Sequence, residues 1–146
     1  MHTTIQNLIN IENEIKLNLS DLDIFSLPKI IAVSKTFKID DILPLINHGH
    51  INFGENKIQE AVDKWTDIKL TNSNIKLHMI GKLQTNKVKF AVKLFDYIHS
   101  VDSEKLAKKI ADEQKKVSKK IKVFIQVNIG DEEQKSGIKK TEVSNL

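Results

Sequence analysis

The sequence predicts an α/β protein built on a parallel sheet, and three observations support this. Short apolar runs rich in β-branched residues recur along the chain, and segments with apolar residues at helical spacing separate them. Strands that alternate with helices pair in parallel, because each connection crosses back over the sheet. The 146 residues are enough for one domain with an ordinary core. Two architectures remain open at this point, an open doubly wound sheet and a (β/α)8 barrel.

The first half of the chain is predicted to contain three helices and two strands. The N-terminal segment has apolar residues at helical spacing up to Ile15, and a turn around Ser26 and Pro28 follows it. The apolar run 29–34 is typical of a strand covered on both faces. Pro44 conflicts with a regular helix and is expected to start a shorter one or to kink it. The other predicted elements are a helix at Ile39–His48 that ends before Gly49, a strand at His50–Phe53 and a helix at Lys57–Leu70.

The second half continues the alternation. The clearest strand is Ile121–Ile129, where apolar residues at odd positions alternate with Lys122, Phe124, Gln126 and Asn128. Ser103 is a predicted N-cap, because its hydroxyl can accept a hydrogen bond from a free N–H of the following helical turn. The other predicted elements are strands at Lys76–Ile80 and Tyr97–Val101, a helix at Lys87–Leu94 and a last helix beginning near Lys139–Thr141.

Composition narrows the classes of function. The absence of cysteine excludes disulfides, a cysteine nucleophile and thiolate metal ligands, and the five histidines lack metal-ligand spacing. All 23 basic residues are lysines and the net charge is only +4, which disfavours sequence-specific nucleic-acid binding. No apolar run approaches the roughly 18–20 residues of a membrane span, and the N-terminus lacks a signal-peptide pattern. The sequence therefore predicts a soluble, cytoplasmic chain without a metal or a membrane partner.

Candidate site residues follow the predicted strands, where parallel α/β folds place their binding sites. Lys35 ends the first strand, so its amine is expected to be partly desolvated and able to attack an aldehyde. The alternative is a lysine that reaches out to water. Asn56 offers a donor and an acceptor near Gly54 and Gly81, although ordinary turn chemistry also explains these residues. No nucleotide-binding glycine motif follows the first strand.

Gln126 and Asn128 share one face of the predicted fifth strand. In a barrel, that face points into the lumen, so the two amides are candidates for lining the site. A polar layer with satisfied hydrogen bonds is the alternative. The paired lysines after Ser103 are interpreted first as a solvated helix face and second as a basic surface that binds polyanions.

Five motifs in register resemble the YggS/PROSC family of pyridoxal-phosphate homeostasis proteins, whose single domain is similar to the N-terminal barrel of alanine racemase. The resemblance covers nearly the whole chain from Ile30 to Ile138. The motifs are AVSK at 32–35, FGENKIQE at 53–60, HMIGKLQTNK at 78–87, HSVDS at 99–103 and IQVNI…KSG within 125–137.

The resemblance implies a non-catalytic protein of vitamin B6 homeostasis. It implies that Lys35 holds pyridoxal 5′-phosphate as a reversible Schiff base and that Asn56 lies beside the cofactor, with His78, Ile80 and Asn128 around its ring. Lys135 is expected near the pocket mouth, where it could take up released cofactor, or simply in an exposed loop. The implied partners are pyridoxal phosphate and the dependent apo-enzymes, and a monomer is expected. A racemase or lyase that uses the same lysine is the alternative.

The chain departs from the family in length. A closed (β/α)8 barrel takes about 200 residues or more, and only about five strands are predicted here. Residues 1–146 are thus expected to form a single cofactor-binding domain, an incomplete TIM-type barrel that lacks the last three strand–helix units. The phosphate site of such barrels usually follows strands seven and eight, so a truncated fragment with impaired cofactor binding is a further alternative.

Overall fold

Five parallel strands form one sheet in the order in which they occur along the chain. The structure is a computed structural model that describes residues 1–22 and 26–146. An open doubly wound sheet reverses its strand order, whereas right-handed crossovers between sequential neighbours place every helix on one face and curve the sheet towards closure. The predicted incomplete (β/α)8 barrel is therefore confirmed over the open sheet. The strands are β1 (Ala32–Val33), β2 (Asn52–Glu55), β3 (Lys76–Met79), β4 (Tyr97–Val101) and β5 (Lys122–Ile125).

The four helices that follow the first strand pack against one face of this sheet and enclose the core, whereas the N-terminal helix contacts the helix after the first strand. The fully buried Trp65 packs on Phe53 with ring centroids 4.9 Å apart, and Leu77 and Ile98 continue the same layer. The predicted cap is confirmed, because the Ser103 hydroxyl accepts a hydrogen bond from the backbone N–H of Leu106 at 3.2 Å. The helices are α1 (Thr3–Leu19), α2 (Ile39–Asn47), α3 (Ile58–Thr71), α4 (Val88–Leu94) and α5 (Glu104–Lys116), with a 3₁₀ turn at Thr85–Lys87 before α4.

The predicted elements are found within a few residues, with differences that have local causes. Pro44 does not start a shorter helix, because α2 begins at Ile39 and continues through Pro44 to Asn47. The predicted strand 121–129 divides, because its pairing with β4 ends at Ile125 and the chain then forms β6 (Val127–Asn128). This strand pairs with β7 (Ile138–Lys139) in a separate two-stranded sheet. The last segment, Lys140–Asn145, is a 3₁₀ helix rather than the predicted α-helix.

The two edge strands of the sheet are only partly covered. Val33 on β1 is 50% exposed, so the prediction of a first strand buried on both faces is wrong. On β5, Val123, Phe124 and Ile125 are each between 43% and 51% exposed. Both strands have a neighbour on one side only, which leaves their outer side chains in contact with solvent. Within the described ranges, no helix has the length and apolar character needed to cross a bilayer.

Candidate functional site

Unsatisfied polar atoms mark the carboxyl end of the sheet. Three side-chain atoms of the described residues are buried without a hydrogen-bond partner, namely Glu55 Oε2, Asn56 Oδ1 and Ser100 Oγ. Glu55 ends β2, Asn56 follows it, and Ser100 is the penultimate residue of β4. Buried polar groups are normally paired, and (β/α)8 proteins bind their ligands at this end of the strands. Of the three, Asn56 Oδ1 is the atom outside the core, which makes this end of the sheet the candidate binding site.

Lys35 lies in a tight turn just after β1. The Phe37 N–H closes this turn by donating to the Ser34 carbonyl at 3.2 Å. Val33 pairs with Gly54, and Lys35 and Asn56 each follow this paired position by two residues. The structure thus brings the two predicted cofactor-binding residues to neighbouring positions at one end of the sheet.

The Lys35 side chain is exposed, which corrects the expectation that burial would partly desolvate its amine. The physical reason is the open inner face of β1, where Val33 is half exposed as well. Among residues 1–22 and 26–146, the Lys35 ammonium makes no hydrogen bond and no ion pair. The amine is therefore accessible to an incoming aldehyde.

Thr36, the next residue, has an unusual backbone conformation. Its φ of +67° lies in the left-handed region, which a β-branched side chain rarely adopts. Such a conformation costs about 1–2 kcal/mol and persists only where surrounding contacts maintain it. Here the Thr36 N–H donates to Glu60 Oε1 at 2.6 Å. Strain of this kind is concentrated at functional sites, and in this chain it adjoins Lys35.

A fully buried carboxylate lies behind the turn. Glu55 Oε1 accepts hydrogen bonds from Ser34 Oγ at 2.8 Å, Trp65 Nε1 at 2.8 Å and Lys64 Nζ at 2.9 Å. The Glu55 side chain is 0% exposed and that of Lys64 is 8% exposed. Sequence reasoning missed this cluster, because only Glu55 itself, at the end of a short strand, could have drawn attention to it. Its partners are 9 to 21 residues away, and only the fold brings them together.

The inner face of the sheet carries a row of aromatic and polar side chains. His78 stacks on Tyr97 with ring centroids 4.3 Å apart, and His99 stacks on Phe124 at 4.5 Å. With Asn52 Oδ1 accepting from His78 Nε2 at 3.0 Å, His78 Nδ1 is left to accept from His99 Nε2 at 2.9 Å. Burial, reinforced by the neighbouring His99, lowers the pKa of His78 to about 4. Burial also lowers the pKa of His99, so both rings are neutral at pH 7.

Of the other residues implied by the resemblance, Ile80 lies on the inner face beside Gly54 and Ile31. A methyl group at Gly54 would lie 3.1 Å from Ile80 Cδ1 and 3.2 Å from Ile31 Cγ2, so these two side chains meet over the glycine. His78 pairs with Gly54 in the ladder, two residues before the level of Asn56. Both ring nitrogens of His78 form hydrogen bonds with neighbouring side chains, so His78 stabilises the inner face of the sheet.

The two amides of the predicted fifth strand are satisfied within their own loop. Asn128 Nδ2 donates to the Glu132 carbonyl at 2.8 Å, and Gln126 Nε2 donates to the Ser136 carbonyl at 3.4 Å. The second interpretation of these residues, a satisfied polar layer, therefore agrees with the structure. The same loop carries Lys135, which is exposed and forms an ion pair with Glu132 at 2.9 Å.

This loop is fixed beside β4. The Gly137 N–H donates to Asp102 Oδ2 at 3.2 Å, directly after the last residue of that strand. Lys135, two residues before Gly137, is thereby held near the carboxyl end of the sheet. The contact places a second accessible lysine at the same end of the fold as Lys35.

Two cavities lie near the ends of β1 and β2, and only the second includes residues of the Lys35 turn. One, of about 250 Å³, is lined by Asn56, Met79, Lys82 and Gln84 among others. The other, of about 280 Å³, is lined by Ser34 and Phe37, the neighbours of the turn, and Lys35 itself lines neither.

The residues present fit part of an aldehyde-bearing cofactor such as pyridoxal phosphate. The free amine of Lys35 can react with the aldehyde. The unpaired Asn56 Oδ1 can accept a hydrogen bond from a polar group of the cofactor ring. No described residue is assigned to the phosphate, because the loops that usually hold it in barrels follow strands seven and eight.

Sequential parallel strands, helices on one face and an accessible lysine after the first strand define a protein of an incomplete (β/α)8-barrel type with a candidate amine site. The family model described as "Alanine racemase, N-terminal domain" matches residues 12–146. The chain belongs to this family, and the family resemblance found in its motifs is confirmed.

Curated relatives and solved structures agree with this assignment. The pyridoxal phosphate homeostasis proteins of Pasteurella multocida and Escherichia coli K12 are 38% and 37% identical over 118 residues. These matches cover 81% and 80% of this chain but 51% and 50% of the relatives, so the chain spans about half their length.

The chain is also similar in structure to PipY of Synechococcus elongatus, which has been solved both without and with PLP bound. The form without PLP matches with a TM-score of 0.73 and 34% identity, over 90% of this chain and 61% of PipY. The form with PLP matches with a TM-score of 0.69 and 33% identity, over 90% and 63%. A Bifidobacterium adolescentis protein at 24% identity, with a TM-score of 0.78 over 97% of this chain and 60% of its own, supports the fold.

Proposed function

We propose that residues 1–146 form one cofactor-binding domain that holds pyridoxal 5′-phosphate reversibly on Lys35, beside Asn56, and releases it to dependent enzymes. When bound, this cofactor supplies an aldehyde, which condenses with a primary amine to form a carbon–nitrogen double bond and releases one water. The observation that carries the proposal is the accessible, unpaired Lys35 amine on a strained turn at the carboxyl end of the sheet. The relatives named for pyridoxal phosphate homeostasis, and PipY with PLP bound, support it.

A carrier without catalytic activity is favoured by the position of the only tyrosine. Racemization needs a second acid–base group on the far side of the substrate, and tyrosine is a typical one. Tyr97 is the first residue of β4 and stacks on His78. A five-residue strand is about 16 Å long, so this tyrosine lies at the end of the strand opposite the Lys35 turn.

Reductive trapping tests the proposal. The protein is incubated with pyridoxal phosphate, reduced with borohydride and digested, and the modified lysines are then mapped. We expect Lys35 to be the main modified residue, because its amine is accessible and free of a carboxylate partner. Lys35→Ala should remove this label. The matched control, Lys38→Ala, removes a nearby lysine and should leave the label on Lys35 unchanged.

The distribution of the label decides between the proposal and a fragment with impaired cofactor binding. Modification spread over many of the 23 lysines would indicate unspecific reaction and would contradict a cofactor site at Lys35. Retention of the same peptide label in Lys35→Ala would contradict the assigned residue.

The family description favours a racemase as the second candidate function. It predicts that the cofactor-loaded protein changes the optical rotation of L-alanine and that Lys35→Ala abolishes this change. The carrier proposal predicts a constant rotation with both proteins, while the parent alone retains the cofactor.

A further inference from the structure

A cluster of charged side chains, buried at Glu55 and Lys64 and partly exposed at Glu60, contacts the residues on both sides of Lys35. We name this cluster the turn clamp and define it as Glu55, Glu60 and Lys64. Lys64 Nζ donates to the Ser34 carbonyl at 2.8 Å, to Glu55 Oε1 at 2.9 Å and to Glu60 Oε1 at 3.1 Å. One ammonium therefore joins the end of β1 to the end of β2 and to the first turn of α3.

The turn clamp binds the backbone around Lys35. Before Lys35, the Ser34 carbonyl accepts from Lys64, and the Ser34 hydroxyl donates to Glu55. After Lys35, the Thr36 N–H donates to Glu60 at 2.6 Å. These contacts fix two consecutive peptide groups, while the Lys35 side chain is left exposed. The arrangement orients the side chain without engaging its amine.

Within this cluster, Glu60 is the residue that stabilises the unfavourable backbone conformation of Thr36. The φ of +67° at Thr36 is unfavourable for a β-branched residue, and the bond to the Glu60 carboxylate holds it. The hydrogen bond from the Thr36 N–H, together with Lys64, lowers the pKa of Glu60. The carboxylate is therefore ionised at neutral pH and acts as a strong acceptor.

We propose that Glu60 is a positioning residue for Lys35, which acts through the Thr36 backbone and with Lys64 keeps the turn in the conformation that binds the cofactor. This inference rests on the proposed function. Without the Glu60 carboxylate, Thr36 relaxes towards negative φ and the Lys35 side chain leaves the inner face of the sheet. If the competent turn is then populated about one tenth of the time, the apparent Kd for pyridoxal phosphate rises about tenfold.

The test compares four proteins. Glu60→Ala removes the acceptor, and Glu60→Ala/Thr36→Gly combines this loss with a residue that adopts positive φ without strain. Glu104→Ala is the matched control, because it removes another Glu–Lys pair at i,i+4 from an exposed helix face, where the two atoms are 2.7 Å apart. Binding is measured by titration with pyridoxal phosphate, and urea unfolding verifies that each variant is folded.

We expect Glu60→Ala to weaken binding about tenfold, and Glu104→Ala to leave binding within about twofold of the parent. Adding Thr36→Gly should recover most of the lost affinity although the pair with Lys64 remains broken. A purely structural role for Glu60 predicts no such rescue. Equal affinity of the parent and Glu60→Ala, or a failed rescue in a folded double variant, would overturn the inference.

A second readout needs no cofactor. Amide hydrogen exchange of the Thr36 N–H should be slow in the parent and in Glu104→Ala, and at least about tenfold faster in Glu60→Ala. Fast exchange in the parent would refute the turn clamp itself, whatever the cofactor does. If the clamp protects this amide but borohydride labels no Lys35 in the parent, the proposed function fails, and the positioning role towards the cofactor fails with it.

Discussion

Acidification should destabilise the protein through His78, whose folded-state pKa of about 4 lies below the ordinary value of 6.5. Protonation would turn Nδ1, which accepts from His99, into a donor facing another N–H. Because the unfolded chain binds this proton more tightly, the contribution is fully present above about pH 6.5 and is lost as the pH falls towards 4.

The size of this effect follows from the two pKa values. Between about pH 7.5 and pH 5, one group with these values removes about 2 kcal/mol from the free energy of unfolding. His99 and His50, whose pKa values burial also lowers, add to the loss in the same direction. Glutamates with lowered pKa values lose most of their contribution to stability below about pH 5. Histidines therefore account for most of the stability change between about pH 7.5 and pH 5.

Urea denaturation at both pH values measures the loss, and His78→Gln isolates its cause. The glutamine variant is expected to be less stable at neutral pH but to lose about 2 kcal/mol less on acidification. His48→Gln removes an exposed histidine directly after α2 and serves as the control for a His-to-Gln change away from the inner face of the sheet. If the parent and His78→Gln lose the same stability over this range, the linkage between His78 and folding is refuted.

Two further substitutions test the packing of the site and the start of α5. At Gly81, a Cβ would overlap the Asn56 carbonyl oxygen, so Gly81→Ala should lower the free energy of unfolding by about 1–3 kcal/mol in urea titrations. The control is Gly130→Ala, whose Cβ would meet only a flexible side chain; an equally large loss there would contradict the overlap argument. Ser103→Ala removes the N-cap hydroxyl and should cost about 1 kcal/mol, whereas Ser103→Asp keeps an acceptor and should retain most of that stability. Equal losses for the two Ser103 variants would contradict the capping role.

Local sequence patterns predicted most of the fold because its elements depend on local rules. Strand β4 has the predicted bounds, Tyr97–Val101, and the Ser103 cap was visible from its position before a helical repeat. The division of the predicted strand 121–129 was not visible. It depends on the pairing of Val127 with Ile138, a contact across a loop that alternation along one strand does not reveal.

The sequence was sufficient to predict which strand ends form the candidate site. It was not sufficient to predict the contacts that the side chains make there. Lys35 and Asn56 were located by their place after β1 and β2, and the parallel pairing of these strands puts both at the same end of the sheet. The exposure of Lys35 depends on which strands flank β1, and the bonds of Lys64 to residues 9 and 30 positions away depend on sheet register and helix docking. Neither property has a signature in one sequence.

The indole of Trp65 gives this molecule an intrinsic optical probe. It is the only tryptophan, its ring is fully buried, and its N–H donates to the carboxylate of Glu55. Its emission therefore comes from a single environment, three hydrogen bonds away, through Glu55 and Lys64, from the peptide that precedes Lys35. Changes in that peptide should alter the fluorescence wavelength or intensity, so rearrangements around the reactive amine can be followed in real time without attaching a dye.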